Sequence, residues 1–296
     1  VVVTSYNYSN YISKCIESIL DQDYSDFELI ILDNCSTDET VEVVSGFLSD
    51  ERVRLVRHPE NIGACLNFNA ALRVGSGRYL SLVSADDCLL PGHFSRLMSA
   101  LKRNASCVLA YSPIIMMDSR GVLHGAQKHS GYAEAAYYGG RDEFADLLVH
   151  DCYVTLCAAI FDRDQISDDL YFDIEAWGGA DWEFFVRLAG KYKNFAFEPL
   201  PGSCYRIHDK QYSRNNFYSS LEPLYTHLYI VEKYVGKVLA ECTESAGRIA
   251  DHLKGRASQY GRLHHARLQQ RLDNALLKLE QKYHHGQTHR GQLGRR

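Results

Sequence analysis

The sequence predicts an α/β fold in which a central, mainly parallel sheet carries helices on both faces, followed by a C-terminal helical extension. Three observations predict it. Over about the first 110 residues, short apolar segments alternate with segments of helical periodicity. Polar residues follow several apolar segments at the points where the predicted strands end. From about residue 216 onward, the pattern is that of helices with few turn signals.

The predicted strands of the first half are five short apolar segments, partly β-branched, of the kind that fits a buried sheet. They cover residues 1–4, 27–32, 53–58, 79–83 and 107–112. After residue 113 the pattern is less regular and mixes turns, short strands and a helix.

The segments between these strands have the periodicity of amphipathic helices. The first has one apolar face, with Ser9 or Asn10 as its cap. The sequence STDE at 36–39 is a capping box that would open the second helix. Residues 62–74 are predicted to form the third, and Pro91 suits the first turn of the fourth. This alternation of strand and helix is typical of a parallel sheet.

The overall composition is that of an ordinary globular protein, with 46% apolar and 23% charged residues among 296. No segment approaches the roughly 18 uninterrupted apolar residues of a membrane helix. The nine cysteines are odd in number and include no C-x-x-C pair, which favours a reducing compartment. We therefore expect a cytoplasmic location. Because the sequence begins at Val1, inside a predicted strand, we also expect a domain cut from a longer chain.

The helical extension is predicted to begin near residue 215, which divides the chain into units 1–215 and 216–296. Its apolar stripe consists of Leu268, Leu272, Leu276, Leu279 and Tyr283. Residues 284–296, which are rich in His, Gly, Gln and Arg, are predicted to be disordered. The six histidines between positions 252 and 289 lack a metal-ligand spacing, so we expect them at the surface.

Charge is unevenly distributed along the chain. Residues 251–296 hold ten Lys and Arg against three Asp and Glu, a net +7, whereas the other 250 residues carry a net −12. A basic helical surface of this kind is most often a solvated face. It also suits dimerisation, packing on the first unit, or peripheral contact with the inner, anionic face of a membrane. Nucleic acid is not an expected partner.

Three polar clusters follow predicted strands, namely Thr4 to Tyr6, Asp33, and the adjacent pair Asp86 and Asp87. In parallel sheets, ligands gather beyond the carboxyl ends of the strands, so these clusters should converge on one crevice. Two adjacent carboxylates repel each other and are costly to desolvate unless a positive charge lies beside them. A divalent cation with oxygen ligands is the usual solution. The alternative is an Asp cap on the helix near Pro91.

Five ordered motifs resemble the family-2 inverting glycosyltransferases, which have the GT-A fold. They are TSYNYSNYISKCIESILDQDYSDFELIILDNCSTDET, NIGACLNFNAAL, GSGRYLSLVSADD, ADWEFFVRLA and YRIHDKQYS, within about residues 1–213. The resemblance implies a transferase that moves a sugar from a nucleotide-diphosphate sugar to a hydroxyl of a glycan or lipid-linked acceptor, as in polysaccharide biosynthesis. The helical extension lies outside it.

The resemblance implies a metal site at the strand end that carries Asp86 and Asp87, with Mn²⁺ or Mg²⁺ bound to the donor's diphosphate. Which of the two acids contacts the metal stays open. Ser84 stands in place of the first acid of the common pattern, which weakens the motif but leaves two acids in it. By the same resemblance His208 completes the metal or diphosphate site, and Arg206 and Lys210 lie near the phosphates. A purely structural histidine is the alternative for His208.

For the nucleotide, the resemblance assigns Asp33 to the base or ribose, with Thr4 and Tyr6 lining the base. A carboxylate can accept a hydrogen bond from the N3–H of uracil or thymine, which favours a UDP- or dTDP-sugar. Asn34 stands in place of the usual second acid. Asn61 and Asn69 are expected to bind nucleotide or backbone groups, and a turn residue is the alternative for Asp33.

The resemblance implies that Asp181 is the catalytic base. It would take the proton of the acceptor hydroxyl as that oxygen attacks the anomeric carbon from the face opposite the diphosphate. The metal would neutralise the charge on the leaving phosphate. Ala180 replaces the other acid of the family's pair, and a helix N-cap is the alternative role of Asp181.

Two other functions compete with a sugar transferase. A catalytically degenerate GT-A domain that binds a sugar nucleotide or glycan, or acts as a scaffold, is the alternative, because Ser84, Asn34 and Ala180 each replace an acid. A nucleotidyltransferase is disfavoured, because the loop after the first strand lacks glycine and has no basic residue before Lys14.

Overall fold

The computed structural model describes residues 1–129, 131–211, 213, 220–241, 245–258 and 268–280. Its strands are β1 Val2–Ser5, β2 Leu29–Asp33, β3 Val53–Arg57, β4 Tyr79–Leu80, β5 Leu82–Ser84, β6 Cys88–Leu89, β7 Leu109–Tyr111, β8 Ile114–Asp118, β9 Leu123–Ala126, β10 Tyr137–Tyr138, β11 Ala159–Asp162, β12 Phe195–Phe197 and β13 Ser203–Ile207. Its helices are α1 Ile12–Leu20, α2 Thr40–Ser45, α3 Ala64–Val74, α4 His93–Arg103, α5 Glu143–His150, α6 Ala180–Tyr192, α7 Glu222–Glu241, α8 Ala246–Ser258 and α9, residues 268–280.

The strands form three sheets. The first, in the order β3-β2-β1-β5, is wholly parallel. The second has the order β10-β12-β7-β11-β4, and the third has the order β6-β13-β8-β9; both are mixed. The predicted strand 79–83 is divided into β4 and β5 at Ser81, whose carbonyl accepts a hydrogen bond from the Val2 amide at 2.9 Å. This strand therefore passes from the second sheet into the first.

Helices cover both faces of the first sheet, as predicted. Along β1 and β2, neighbouring residues alternate between the two faces because the side-chain period of a strand is two. Val3 and Ile31 pack with α1, α2 and α4, whereas Val2 and Ile30 pack with α3, α5 and α6. All four of these side chains are fully buried, so the sheet forms the centre of two apolar layers.

The predicted helix starts were less accurate than the helices themselves. Tyr11, not Ser9 or Asn10, is the N-cap of α1, and none of the described side chains caps that helix. The predicted capping box at 36–39 is wrong: α2 begins at Thr40, and Ser36 Oγ instead accepts a hydrogen bond from the Asn7 amide at 2.9 Å. The polar residues before α2 therefore connect two loops.

The C-terminal helices share a core with the α/β unit, which we define as β1 to β13. Apolar residues of α7, α8 and α9 belong to the same cluster as α5 and α6. On α9, Leu268, Leu272 and Leu279 are buried and Leu276 is partly buried, which confirms the predicted stripe for these residues. The stripe is therefore buried in the core that the C-terminal helices share with the α/β unit.

Some predictions concern residues outside the described part of the chain. Tyr283 and the predicted disordered end 284–296 lie there, as do five of the six histidines. The predicted boundary near residue 215 also falls among such residues and stays a prediction. Among the described residues, no helix is both long enough and apolar enough to cross a membrane.

A buried charge network joins α6 to α7. The Glu183 carboxylate is fully buried and lies 3.2 Å from Arg187 on the same helix and 2.8 Å from Lys233 on α7. The Tyr234 hydroxyl donates to it at 2.6 Å. A buried carboxylate is tolerated only when it is paired in this way.

We predict that Glu183→Gln destabilises the protein by about 2 to 4 kcal/mol, because it leaves Lys233 and Arg187 beside a neutral group. Urea unfolding measures this difference. Glu232→Gln is the matched control: it breaks a partly exposed ion pair with Arg271 at 2.6 Å and should cost less than about 1 kcal/mol. Equal losses in the two variants would contradict the prediction.

Candidate active site

A cavity of about 600 Å³ opens at the carboxyl ends of β1 and β5. Its lining residues come from within 4–8, 61–68, 84–87, 155–157, 172–181 and 205–213, together with Asn34. The volume lies in the range of small-molecule sites. Because the sheet brings these distant segments together, the cavity is the crevice that the strand-end polar residues predicted.

The loop after β1 forms one wall, and the loop after β2 holds it in place. Asn7 has a φ of 59°, a left-handed conformation that asparagine tolerates better than most residues. Its side-chain oxygen accepts the Thr37 amide at 2.8 Å, and the Tyr8 amide donates to Thr40 Oγ1 at 2.9 Å. The predicted base-binding residues Thr4 and Tyr6 line this wall, and Tyr6 is 41% exposed.

Asn34 and Asn61 shape the neighbouring wall. The Asn34 side-chain amide donates to Asn61 Oδ1 at 3.0 Å, and its oxygen accepts the Ile62 amide at 3.0 Å. Gly63, whose φ is +84°, then leads the chain into α3. Asn61 therefore lies on the cavity. Asn69 does not: its side chain satisfies the backbone of Phe172, which is one of the two roles predicted for it.

Asp33 is fully buried at the end of β2, and in the described part of the chain the cavity wall includes its neighbour Asn34 but not Asp33. Its Oδ2 accepts hydrogen bonds from the Ser36 amide at 3.0 Å and Arg57 Nε at 3.2 Å. Its Oδ1 is buried without a partner among the described residues. An unpartnered buried carboxylate oxygen is costly. Because Asp33 does not line the cavity among the described residues, its contact with the nucleotide stays a prediction.

Asp86 and Asp87 both line the cavity, although each is only 4% exposed. The third sheet brings β13 alongside them. Asp87 Oδ1 accepts the Arg206 amide at 2.9 Å, and Asp86 Oδ2 lies 3.1 Å from His208 Nε2. Burial, and then the neighbouring charge of Asp86, raise the pKa of Asp87 well above its usual range. A cation beside the pair would relieve this repulsion.

Arg206 supports the acid pair from behind. Its Nε donates to the Asp86 carbonyl at 2.6 Å, and its guanidinium lies 4.7 Å from the centre of the Tyr11 ring. Within the described residues, the basic side chain that lines the cavity near this point is Lys210, not Arg206. Contact of Arg206 with the nucleotide stays a prediction.

The sequence analysis missed two aromatic neighbours of this site. Tyr8 lines the cavity, and its ring lies 5.8 Å from that of His208. Tyr11 lies 4.9 Å from the same imidazole. The three-residue spacing of these tyrosines was visible in the sequence, but their proximity to His208 depends on β13 and could not be read from it.

Asp181 is the second residue of α6 and lines the same cavity. The N-cap position belongs to Gly179, so the alternative of an N-cap role for Asp181 is not what the structure shows. Asp181 Oδ1 accepts the Trp182 amide at 2.8 Å. Burial raises the pKa of the Asp181 carboxyl to about 6. A carboxyl that titrates near neutrality in a cavity is suited to take a proton from a substrate.

The start of α6 is fixed by the core around Trp182. That side chain is buried, and its indole N–H donates to the Leu147 carbonyl of α5 at 2.9 Å. Phe68 and Phe172, which line the cavity, are in edge-to-face contact at 5.9 Å. Asp181, the candidate general base, therefore lies on a well-packed helix whose neighbours exclude part of the surrounding water.

Solved structures of low sequence identity share this fold. Residues 1–349 of TarS from Staphylococcus aureus, solved in complex with UDP-GlcNAc, give a TM-score of 0.70 at 17% identity over 95% of this chain and 80% of that one. The mannosyltransferase PcManGT from Pyrobaculum calidifontis, solved with GDP-Man and Mn²⁺, gives 0.57 at 15% identity over 95% and 85%. The predicted GT-A fold with C-terminal helices is confirmed.

Sequence relatives point the same way. A putative teichuronic acid biosynthesis glycosyltransferase of Bacillus subtilis is 32% identical over 41% of this chain and 48% of its own length. An uncharacterized glycosyltransferase of Methanocaldococcus jannaschii is 26% identical over 65% of both. The chain thus spans between about half and two thirds of these relatives. A family model, glycosyl transferase family 2, matches residues 1–164, more than half of the chain. The chain belongs to glycosyl transferase family 2.

Proposed function

We propose that this chain transfers a sugar from a nucleotide-diphosphate sugar to a hydroxyl of a glycan or lipid-linked acceptor, with inversion and with the help of a divalent cation. One observation carries the proposal. A single cavity contains a buried acid pair beside His208 and, separately, Asp181 with its pKa raised to about 6. The first group suits a cation and a diphosphate, and the second suits a base.

Asp86, Asp87 and His208 are the residues that would hold Mn²⁺ or Mg²⁺. Carboxylate oxygens are the ligands that such hard cations prefer, and the mutual repulsion of the buried pair favours a positive charge there. Mn²⁺ in the mannosyltransferase of the same fold supports this assignment. When bound, the cation would neutralise the charge that develops on the leaving phosphate.

The donor nucleotide is proposed to bind along the loops after β1 and β2, against Thr4, Tyr6 and Asn61. Asp33 lies behind Asn34, so it would reach the base only if this wall moves when the nucleotide binds. Its unpartnered Oδ1 would then accept the N3–H of uracil or thymine. The structural relatives were solved with UDP-GlcNAc and with GDP-Man, so between them they favour no one base.

The acceptor hydroxyl is proposed to bind beside Asp181. As its oxygen attacks the anomeric carbon, its proton passes to the Asp181 carboxylate, and attack from the face opposite the diphosphate inverts the anomeric configuration. Because Ala180 replaces the second acid, Asp181 acts alone. A single carboxylate is sufficient for one displacement.

A glycan acceptor is supported by the names of the relatives. One is associated with teichuronic acid biosynthesis, and another, from Pasteurella multocida, is a chondroitin synthase that is 30% identical over 66% of this chain and 19% of its own length. Cytoplasmic action at the inner face of a membrane, with contact or self-association through the C-terminal helices, stays a prediction of the sequence.

We predict that Asp181→Asn lowers kcat by about 10²- to 10⁴-fold, because the amide cannot accept the acceptor's proton. Transfer from a radiolabelled sugar nucleotide measures it, with nucleotide binding expected to be unchanged. Asp168→Asn, an exposed carboxylate outside the cavity, is the matched control and should keep full activity. Undiminished turnover in Asp181→Asn would make the degenerate binding domain the better interpretation.

The same variant should remain folded, which separates lost chemistry from lost structure. The folded-state pKa of about 6 lies above the ordinary value of 3.8, so ionisation of Asp181 costs stability above pH 6 and nothing below pH 3.8. Asn removes this cost. We expect Asp181→Asn to be about 1 to 2 kcal/mol more stable at pH 7.5, and equal to the parent at acidic pH.

We predict a pH dependence that follows from the same group. Below about pH 6 the Asp181 carboxyl is protonated and cannot act as a base, so kcat/KM should fall about tenfold per pH unit. A pH–rate profile at saturating cation measures it. The pH at which kcat/KM begins to fall should not change with cation concentration. If it does change, the titrating group belongs to the acid pair and not to Asp181.

We predict that one nucleotide raises the melting temperature only when Mn²⁺ or Mg²⁺ is present, with UDP or dTDP ahead of GDP and CDP. A ligand at about 100 times its Kd adds about 2.7 kcal/mol of stability. Asp86→Asn, which leaves one acid, should weaken the cation-dependent part. If no nucleotide stabilises the protein with or without cation, donor binding at this cavity is contradicted.

A further inference from the structure

His227 on α7 is fully buried; one of its ring nitrogens faces the backbone of Leu148, and in the described part of the chain the other has no hydrogen-bond partner. Its ring lies 5.0 Å from that of Trp182 and 5.1 Å from that of His252. Buried polar atoms in folded proteins are nearly always hydrogen-bonded. A fully buried imidazole with an unpartnered nitrogen therefore requires a ligand or another explanation.

Two further side chains that can bind a metal lie close to His227. His252 belongs to α8, and Asp151 directly follows α5. His252 Nε2 lies 2.9 Å from Asp151 Oδ1, and one ligand atom from each of the three residues lies within 4.8 Å of the others. Contrary to the sequence-based expectation, His252 is not an isolated surface histidine. Its side chain and that of Asp151 are each 31% exposed.

We propose that Asp151, His227 and His252 bind one divalent transition-metal ion of the zinc type. Two imidazole nitrogens and one carboxylate oxygen form a ligand set that zinc accepts, and a water can complete the tetrahedron from the exposed side. Bonds of about 2.0–2.2 Å place ligand atoms roughly 3 to 3.5 Å apart. Small side-chain rotations reach this geometry from the observed separations.

Arg256 modifies this site. It pairs with the second oxygen of Asp151, and its guanidinium lies 5.6 Å from the centre of the Trp182 ring. This arrangement leaves Asp151 Oδ1 for the metal and orients the carboxylate, as partners of metal ligands do. Its positive charge nevertheless repels a dication, so Arg256 should weaken the site.

The three ligands come from three elements, so the metal would connect the α/β unit to both α7 and α8. The site lies against Trp182, the residue that directly follows Asp181. The indole N–H of Trp182 donates a hydrogen bond to a carbonyl of α5. A metal there would position the start of α6 without contacting substrate. The site uses none of the residues assigned to the donor's cation, and the inference does not depend on the proposed activity.

The test uses the full chain, stripped with EDTA and titrated with Zn²⁺ by calorimetry, with the melting temperature followed in parallel. We expect one tight site and a higher melting temperature with Zn²⁺. Asp151→Asn and His252→Gln should each weaken binding at least tenfold. Both substitutions introduce an amide that can still form hydrogen bonds, and asparagine tolerates the Asp151 φ of 67°. Arg256→Gln should tighten binding several-fold, a change opposite in sign.

Two controls separate this site from others. The chain end contains His284, His285 and His289, so the triple Gln variant must keep the tight site. Asp86→Asn must keep it too, because that residue belongs to the other proposed site. The inference is overturned if Zn²⁺ does not bind tightly. It is equally overturned if Asp151→Asn and His252→Gln leave affinity unchanged, or if the triple histidine variant abolishes it.

Discussion

The burial of two adjacent carboxylates is the constraint on which the site depends. Asp86 and Asp87 leave the first sheet where a strand ends, yet each is almost fully withdrawn from water. They are tolerated because β13 passes beside them and supplies the Arg206 amide, the Arg206 guanidinium and the His208 imidazole. The third sheet is what holds β13 there, through its pairing with β6 and β8. Without that sheet, the acid pair would lose these three partners.

The second half of the site depends on a different part of the molecule. Asp181 is placed by α6, and α6 is held by Trp182 on one side and by the Glu183 network on the other. Lys233 and Tyr234 of that network lie on α7. The C-terminal helices are therefore more than an appendage to the α/β unit, because they stabilise the helix that presents the proposed base.

Local sequence patterns predicted the first sheet, its helices and the acid pair, because these features depend on periodicity and on strand ends. Patterns failed where a contact joins distant segments. The recess of Asp33 behind Asn34, and the position of Arg206 behind the acids, follow from how loops and sheets meet. The Asp151, His227 and His252 cluster joins residues 76 and 25 positions apart (227 − 151 and 252 − 227), so no spacing rule could have found it.

The three positions that depart from the common acidic pattern share a physical consequence. Ala180 is buried beside Asp181, and an acid there would add a like charge that raises the pKa of Asp181 further. With alanine, burial raises that pKa and the backbone amides of Trp182 and Asp181 lower it in part. Asn34 uses its neutral amide to fix Asn61 and Ile62, which an ionised carboxylate could not do as both donor and acceptor. Ser84 leaves two carboxylates rather than three at the cation site. Each departure lowers the negative charge of the cavity while keeping one acid for each proposed step, which favours a working enzyme over a degenerate one.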